Sequence, residues 1–312
     1  SMLWSPGMAL LANWWPGHRR GFATGLANGF SGLGQVCAAL AVSLSIIILP
    51  GFGWKAGFII PAAIMTLTGI IYLFFIKDSP KKIGLKDYVD PDAVKMEKDE
   101  ELRELVSQKG KLYPYIHLFK QWRFDCWLLI IASSSIARYG LLTWIPTYYV
   151  QNFGVDIKEG ALGTILLPLG MAFGTFIIPT ISDKYFSENR LPMVIICAAA
   201  AGLTVFIFRG IDPGPTAGML LFSAGFFIYG INGIVWAYAI DVGGRVFAGT
   251  AAGILDCFAY LGAAVQAIIF GSVLTSTGNW TLVFTAIVGV CAGMILLSII
   301  AGWGLNKKKD VV

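Results

Sequence analysis

An arginine inside an apolar segment is the first residue of this chain that could do chemistry. Within Ser133-Ser-Ser-Ile-Ala-Arg138-Tyr139-Gly140-Leu-Leu-Thr-Trp144-Ile-Pro146-Thr-Tyr148-Tyr149, Arg138 lies about fifteen residues past the charged flank at Arg123 and Asp125. That is roughly 20 Å at the helical rise, near the middle of a ~30 Å hydrocarbon layer. A guanidinium keeps its charge there, so it must be paired, hydrated or used. Asp256 is the second such residue, about ten positions beyond the basic turn at Arg245 and so roughly 13 Å into the layer. Arg138 reads either as the anchor for a substrate anion or as half of a structural pair with Asp256. Asp256 reads as that pair's acid, as a proton-titrating carboxylate, as a substrate contact, or as a residue facing a water-filled cavity.

Around these two stand uncharged polar groups at similar depth. Asn28 is a candidate hydrogen-bonding wall residue or packing glue between helices. Tyr139, Tyr229, Asn232, Trp236 and Tyr260 offer donors and aromatic walls, or simply packing and interfacial surface. Trp144, Tyr148 and Tyr149 are expected at the far interface as an aromatic belt. Nothing assembles into an enzyme: His18 and His117 fall in or beside polar segments, and no glycine-rich phosphate loop follows a strand. Cys37, Cys126, Cys197, Cys257 and Cys291 lack metal or redox spacing and read as free packing thiols. No metal or cofactor is expected.

The elements that must position these groups are membrane helices. With 56% hydrophobic and 13% charged residues in 312, and a mean hydropathy of +0.72, the chain reads as an all-α polytopic membrane protein. Apolar spans are predicted at 21–49, 56–76, 124–150, 160–181, 192–211, 215–240, 247–275 and 280–304, eight full ones, preceded by a partial one at 1–13. The net charge of +5 does not indicate nucleic acid, because the basic residues sit between spans rather than on one face. Placing the turn at 14–20 inside puts 19 of 23 Lys and Arg on one side, which sets the C-terminus in the cytoplasm.

Residues 77–122 are the long polar segment, with ten basic against nine acidic residues. Its near-balanced charge suits a connector between two membrane parts, with a short surface helix over 94–106, better than a lipid-binding face. An internal repeat supports two parts. Gly21-Phe-Ala23-Thr-Gly25 through Asn28, Phe30, Leu33 and Gly34 overlays Gly249-Thr-Ala251-Ala-Gly253 through Asp256, Phe258, Leu261 and Gly262 at an offset of 228. Such repeats mark transporters that rock about a central site, although small residues also recur wherever membrane helices pack tightly. The expected division is an incomplete N-terminal bundle at 1–76, a linker at 77–122 and a C-terminal six-helix bundle at 123–312.

The runs Trp14-Trp15-Pro16 with Arg19-Arg20-Gly21, Ala137-Arg138-Tyr139-Gly140 through Trp144-Ile-Pro146-Thr-Tyr148, Ser182-Asp183-Lys184-Tyr-Phe, and Gly249-Thr250 through Tyr260-Leu261-Gly262 together resemble the organophosphate:inorganic phosphate antiporters. These are members of the major facilitator superfamily that include glycerol-phosphate and hexose-phosphate transporters. The resemblance implies a partial twelve-helix fold holding the end of helix 4 and helices 5 to 12, without helices 1 to 3. It implies that Arg138 is the helix 7 arginine that grips a phosphoryl group. A helix 5 histidine of the glycerol-phosphate branch aligns with Ser31, and Asp256 falls where that branch is small and uncharged; both departures point away from glycerol phosphate. Asp183 and Lys184 match a cytoplasmic gating loop, or else a solvated turn.

The expected function is secondary active transport of small organic anions, phosphorylated or carboxylated, by alternating access, driven by phosphate antiport or proton symport. The substrate site would draw on Arg138, Tyr139, Asn28, Ser31, Asp256, Tyr229, Asn232 and Tyr260. The alternatives are a transporter-like membrane sensor of such an anion, or an inactive fragment that binds weakly and transports nothing. The expected partners are the anion or phosphate and the bilayer, with no nucleic acid, and the chain is expected as a monomer of the inner (cell) membrane.

Overall fold

The protein is described by a computed structural model that covers residues 4–15, 19–85, 93–110, 112–154, 164–186 and 188–303. All regular structure among these residues is helical. In chain order the helices are α1 (Trp4–Trp14), α2 (Arg20–Ile48), α3 (Ala56–Phe75), α4 (Ala93–Lys109), α5 (Tyr113–Phe119), α6 (Trp122–Phe153), α7 (Leu166–Tyr185) and α8 (Leu191–Phe208). They continue with α9 (Pro215–Gly244), α10 (Val246–Thr277) and α11 (Trp280–Gly302). Seven, α3 and α6 to α11, are long and apolar enough to cross a membrane. The 29 residues of α2 reach about 43 Å and occupy the remaining predicted full span, while α1 lies in the predicted partial one. The surface helix runs from 93 to 109 rather than 94 to 106, and α5 was not foreseen in the sequence.

Local chemistry sets the helix ends. Gly154 and Gly278 close α6 and α10 in the left-handed conformation, their amides bonding back to Val150 and Leu274. Asn279 opens α11 by accepting the Thr281 amide at 2.9 Å. Between α9 and α10 the chain turns on Gly244, at φ 57° and ψ −150°. That backbone region is essentially closed to residues with a Cβ. Gly244→Ala is therefore expected to cost about 1–3 kcal/mol, more than Gly278→Ala at φ 63° and ψ 7°. Thermal unfolding of both variants in detergent checks the order.

Close helix crossings rest on small residues, the usual means of association in lipid. Gly170 and Gly174, one turn apart on α7, face the Phe222 and Phe226 carbonyls of α9, where a Cβ would collide with backbone. Gly262 of α10 likewise faces the Ala132 carbonyl of α6. Of the repeated glycines, Gly25 of α2 faces the Thr175 carbonyl of α7, and Gly253 of α10 faces Ser5 of α1.

The basic connections collect at one end of the molecule. There Asn13 Nδ2 donates to the Asp78 carbonyl at 3.2 Å and Trp14 Nε1 to the Lys77 carbonyl at 2.9 Å, so α1 and α3 finish together. Arg123 Nη2 donates to the Trp303 carbonyl at 3.4 Å, joining the start of α6 to the end of α11. Near the other end, Tyr148 and Tyr149 are buried rather than forming an outward belt. Tyr148 packs against Phe153, Phe208, Trp280 and Phe284, with ring centroids 5.0–6.3 Å apart. Clustered aromatics gain both area burial and edge-to-face contact, which an isolated ring at the lipid boundary lacks. All five cysteines are free, but Cys197 and Cys291 alone are fully buried as packing thiols.

Candidate functional site

Arg138 stands at the midpoint of the 32-residue α6, about 24 Å from either end. Its guanidinium carbon lies 4.1 Å from the Tyr229 ring centroid and 4.6 Å from that of Tyr139, an arrangement in which the aromatic faces offset part of the lost hydration. The surrounding residues line a cavity of about 140 Å³. Its walls come from α1 (Trp4), α2 (Asn28, Ser31), α6 (Ser135, Arg138, Tyr139), α9 (Tyr229, Asn232, Trp236) and α10 (Asp256, Ala259, Tyr260). All eight residues singled out in the sequence for substrate contact thus face one space.

Helical spacing explains the convergence. Ser135 and Arg138 are three apart, as are Asn28 and Ser31, and Tyr229, Asn232 and Trp236 follow at three and four, so each set shares a helix face. Trp236 Nε1 donates to Asn232 Oδ1 at 2.6 Å, and the Trp236 ring meets Trp4 edge-on at 5.1 Å. Asn28 Nδ2 donates to the Thr24 carbonyl at 3.0 Å within its own helix. Ser134, one position from Ser135, turns away and donates to the Ile228 carbonyl at 3.3 Å.

Three buried polar atoms on this cavity have no hydrogen-bond partner among the described residues: Arg138 Nε, Trp4 Nε1 and Ser135 Oγ. The first two can only donate, and a hydroxyl can also donate. Leaving such a group unpaired costs about 1–3 kcal/mol each. The residues that carry these unsatisfied donors all line the one cavity, so its wall is rich in donors and poor in acceptors to match them. Trp4 and Ser135 escaped the sequence reading. The first sits in an otherwise apolar opening segment, and the second is one of three consecutive serines that only helical phase relative to Arg138 could have distinguished.

A second polar cluster lies at the end where the basic connections gather. Arg190, 6% exposed, bonds Asp183 Oδ1 at 2.6 Å through Nη1 and Asp241 Oδ2 at 2.9 Å through Nε. Burial disfavours its charge, but the two carboxylates outweigh that and hold its pKa above the ordinary arginine value. The other oxygen of Asp183 accepts the Phe22 amide at 3.1 Å. That amide is one of the first-turn N–H groups of α2, which has no side-chain cap of its own. Asp183 thus ties α2 to α7, α8 and α9. Lys184 is not in this network: it is exposed, its Nζ 5.2 Å from the Tyr185 ring centroid. Arg190 and Asp241 were not singled out in the sequence, since 51 residues separate them and only the fold brings them together.

Comparison with known proteins matches this architecture. The family model described as Major Facilitator Superfamily covers residues 1–267. The glycerol-3-phosphate transporter of Bacillus subtilis is 25% identical over 100% of this chain and 70% of its own length. A probable sulfoacetate transporter, SauU, of Cupriavidus necator is 27% identical over 89% of this chain and 65% of its own length. The membrane sensor protein UhpC of Escherichia coli is 26% identical over 92% and 65%. The chain spans about two thirds of the length of these relatives. A match over most of its residues, on a bundle of apolar helices, makes this integral membrane protein a member of the Major Facilitator Superfamily.

Proposed function

We propose that the protein is a secondary active transporter of small organic anions bearing a phosphoryl, sulfonyl or carboxyl group, working by alternating access in the inner membrane with its C-terminus in the cytoplasm. The observation that carries this reading is the set of unpaired donors, Arg138 Nε, Trp4 Nε1 and Ser135 Oγ, around a mid-membrane cavity. Tyr139, Tyr229, Asn28, Ser31, Asn232, Tyr260 and Asp256 complete its lining. A charge-assisted contact is strongest where water is excluded. In this reading residues 1–76 and 123–312 form two bundles joined by 77–122, with the cavity between them, and the protein acts as a monomer. The Arg190 cluster with Asp183 holds the cytoplasmic face closed while the cavity opens to the other side. Phosphate exchange or a proton carried by Asp256 supplies the coupling.

Counterflow in proteoliposomes of the full-length protein tests this, with labelled inorganic phosphate inside and phosphate esters, sulfonates or carboxylates outside. Saturable exchange with any of these anions, or their uptake under an imposed proton gradient without internal phosphate, supports the reading. The absence of both exchange and proton-driven uptake for all three classes overturns it. The name of the UhpC relative, a membrane sensor protein, favours one second reading. A sensor would bind the same anions in a detergent titration while showing no counterflow.

A further inference from the structure

The polar connection between α3 and α6 is nearly balanced in charge as a whole, but its charges are segregated along its length. Over 94–108, within α4, five acidic residues accompany three basic ones. Over 109–123 there are four basic residues, Lys109, Lys111, Lys120 and Arg123, and none acidic. This basic stretch contains α5, a helix of seven residues with two unlike faces. Pro114 and Leu118 are buried, and Tyr113 and His117 meet the buried Phe247 of α10, with ring centroids 6.4 and 5.6 Å apart. Leu112, Tyr115, Ile116 and Phe119, spaced at three and four and so on one opposite face, are 46–71% exposed. Lys120 and Gln121 alone separate α5 from α6, which is long and apolar enough to cross a membrane. Trp122 and Trp303 are exposed at that same level, and Arg123 Nη2 on the Trp303 carbonyl holds the two chain ends together. Exposed indoles beside a cation mark the layer where a span meets water.

We infer that α5 lies in the plane of the membrane interface, its exposed apolar face against the lipid, and that Lys109, Lys111, Lys120 and Arg123 gather the headgroups of anionic phospholipids around it. Charge complementarity favours this occupant: an apolar helix face flanked by cations, with no acid among them, is the composition that seats on an anionic leaflet. Continuity with α6 favours it as well. Interfacial binding scales with buried apolar area, which seven residues supply sparingly, but a helix fixed to a span is already at the surface and needs little affinity of its own. Its cations then select among lipids rather than anchor the protein. Lys109 and Lys120 stand exposed at either end of α5, where headgroups can reach both. This surface is separate from the cavity, and its lipids would bind whether or not the protein transports anions.

The test puts an environment-sensitive fluorophore on Ile116→Cys, in full-length protein without its native cysteines, in phosphatidylcholine nanodiscs. Brominated phosphatidylglycerol and brominated phosphatidylcholine are compared as quenchers at equal mole fraction, with iodide as the quencher in water. Each cation near an anionic surface contributes about a fivefold preference, so the glycerol lipid is expected to quench at least about threefold more than the choline lipid. Lys109→Gln, Lys111→Gln and Lys120→Gln combined are expected to bring that ratio near one while lipid quenching persists. Added salt is expected to lower the ratio without any of these substitutions. Quenching by iodide but not by lipid overturns the inference, because α5 then faces water. Protection from both overturns it too, since a second copy or another polypeptide then covers the face. Equal quenching by the two lipids, or a preference that survives both the substitutions and salt, overturns the selection of anionic headgroups. Thermal unfolding verifies that the substituted protein folds, and the salt series decides the matter if it does not.

Discussion

Arg138→Lys is expected to lower the rate of anion exchange by roughly 30- to 150-fold, the equivalent of about 2–3 kcal/mol for a lost charge-assisted contact of guanidinium type. Lysine keeps the charge but not the fork. A planar guanidinium can stack on two rings while its N–H groups point into the cavity; an ammonium is compact, more strongly hydrated and cannot do both. The stacking is the observed state, with Tyr229 and Tyr139 at 4.1 and 4.6 Å from the guanidinium carbon. Arg138→Ala removes the charge as well and is expected to abolish measurable exchange. The control is Arg209→Lys: that half-buried arginine donates to Thr285 Oγ1 at 3.1 Å, neither residue lines the cavity, and exchange should stay within twofold of wild type. Initial rates of counterflow provide the readout. Exchange at the wild-type rate in Arg138→Lys would remove Arg138 from the transport site.

The second large effect is expected at the other polar cluster. Arg190→Ala leaves Asp183 and Asp241 close together without their shared cation. Removing one partner of a fully buried ion pair costs about 3–5 kcal/mol, and the 12% and 37% exposure of these two carboxylates puts this case nearer 2–3 kcal/mol by solvent screening. If the cluster holds one access state, as proposed, the population open at that end should rise by about 30- to 150-fold, since every 1.4 kcal/mol is a factor of ten. Labelling of single cysteines placed on the cavity wall, in a background without the five native ones, measures that population from each side of the membrane. Arg190→Ala combined with Asp241→Asn should recover part of the shift, because it removes one of the two stranded charges. A lower unfolding temperature with unchanged labelling would mean that the cluster holds the fold and not the access state.

Much of the helical plan was legible because the membrane imposes a simple grammar: long apolar runs, punctuated by Pro, Gly and charge, with basic residues gathered on one side. The residues that line the cavity were legible for a related reason. Polar groups are scarce at mid-span, so Arg138, Asp256, Asn28 and Asn232 stand out against leucine and alanine, and few cavities could hold them. What stayed hidden depended on geometry that sequence distance does not encode. Trp4 looks like any apolar residue until its indole N–H is found buried without an acceptor. Ser135 differs from Ser134 only in the direction that α6 gives it. Tyr148 and Tyr149 carry the composition of an interfacial belt, yet Phe208 and Phe284, on helices far along the chain, enclose them. Arg190 and Asp241 resemble ordinary end-of-span charges until α8 and α9 are set side by side.

The two glycines related by the 228-residue offset both lie at helix crossings, Gly25 where α2 crosses α7 and Gly253 where α10 crosses α1. At the first seam a Cβ would meet the Thr175 carbonyl, and at the second the glycine sits in ordinary contact with the Ser5 side chain, so both crossings are close ones. Directional hydrogen bonds also cross these seams: the Phe22 amide on Asp183 at one, and the Ser5 hydroxyl on the Gly249 carbonyl at the other. In the alternating access proposed above, these are the bonds that any relative movement of the helices would exchange, each worth a net of about 0.5–1.5 kcal/mol.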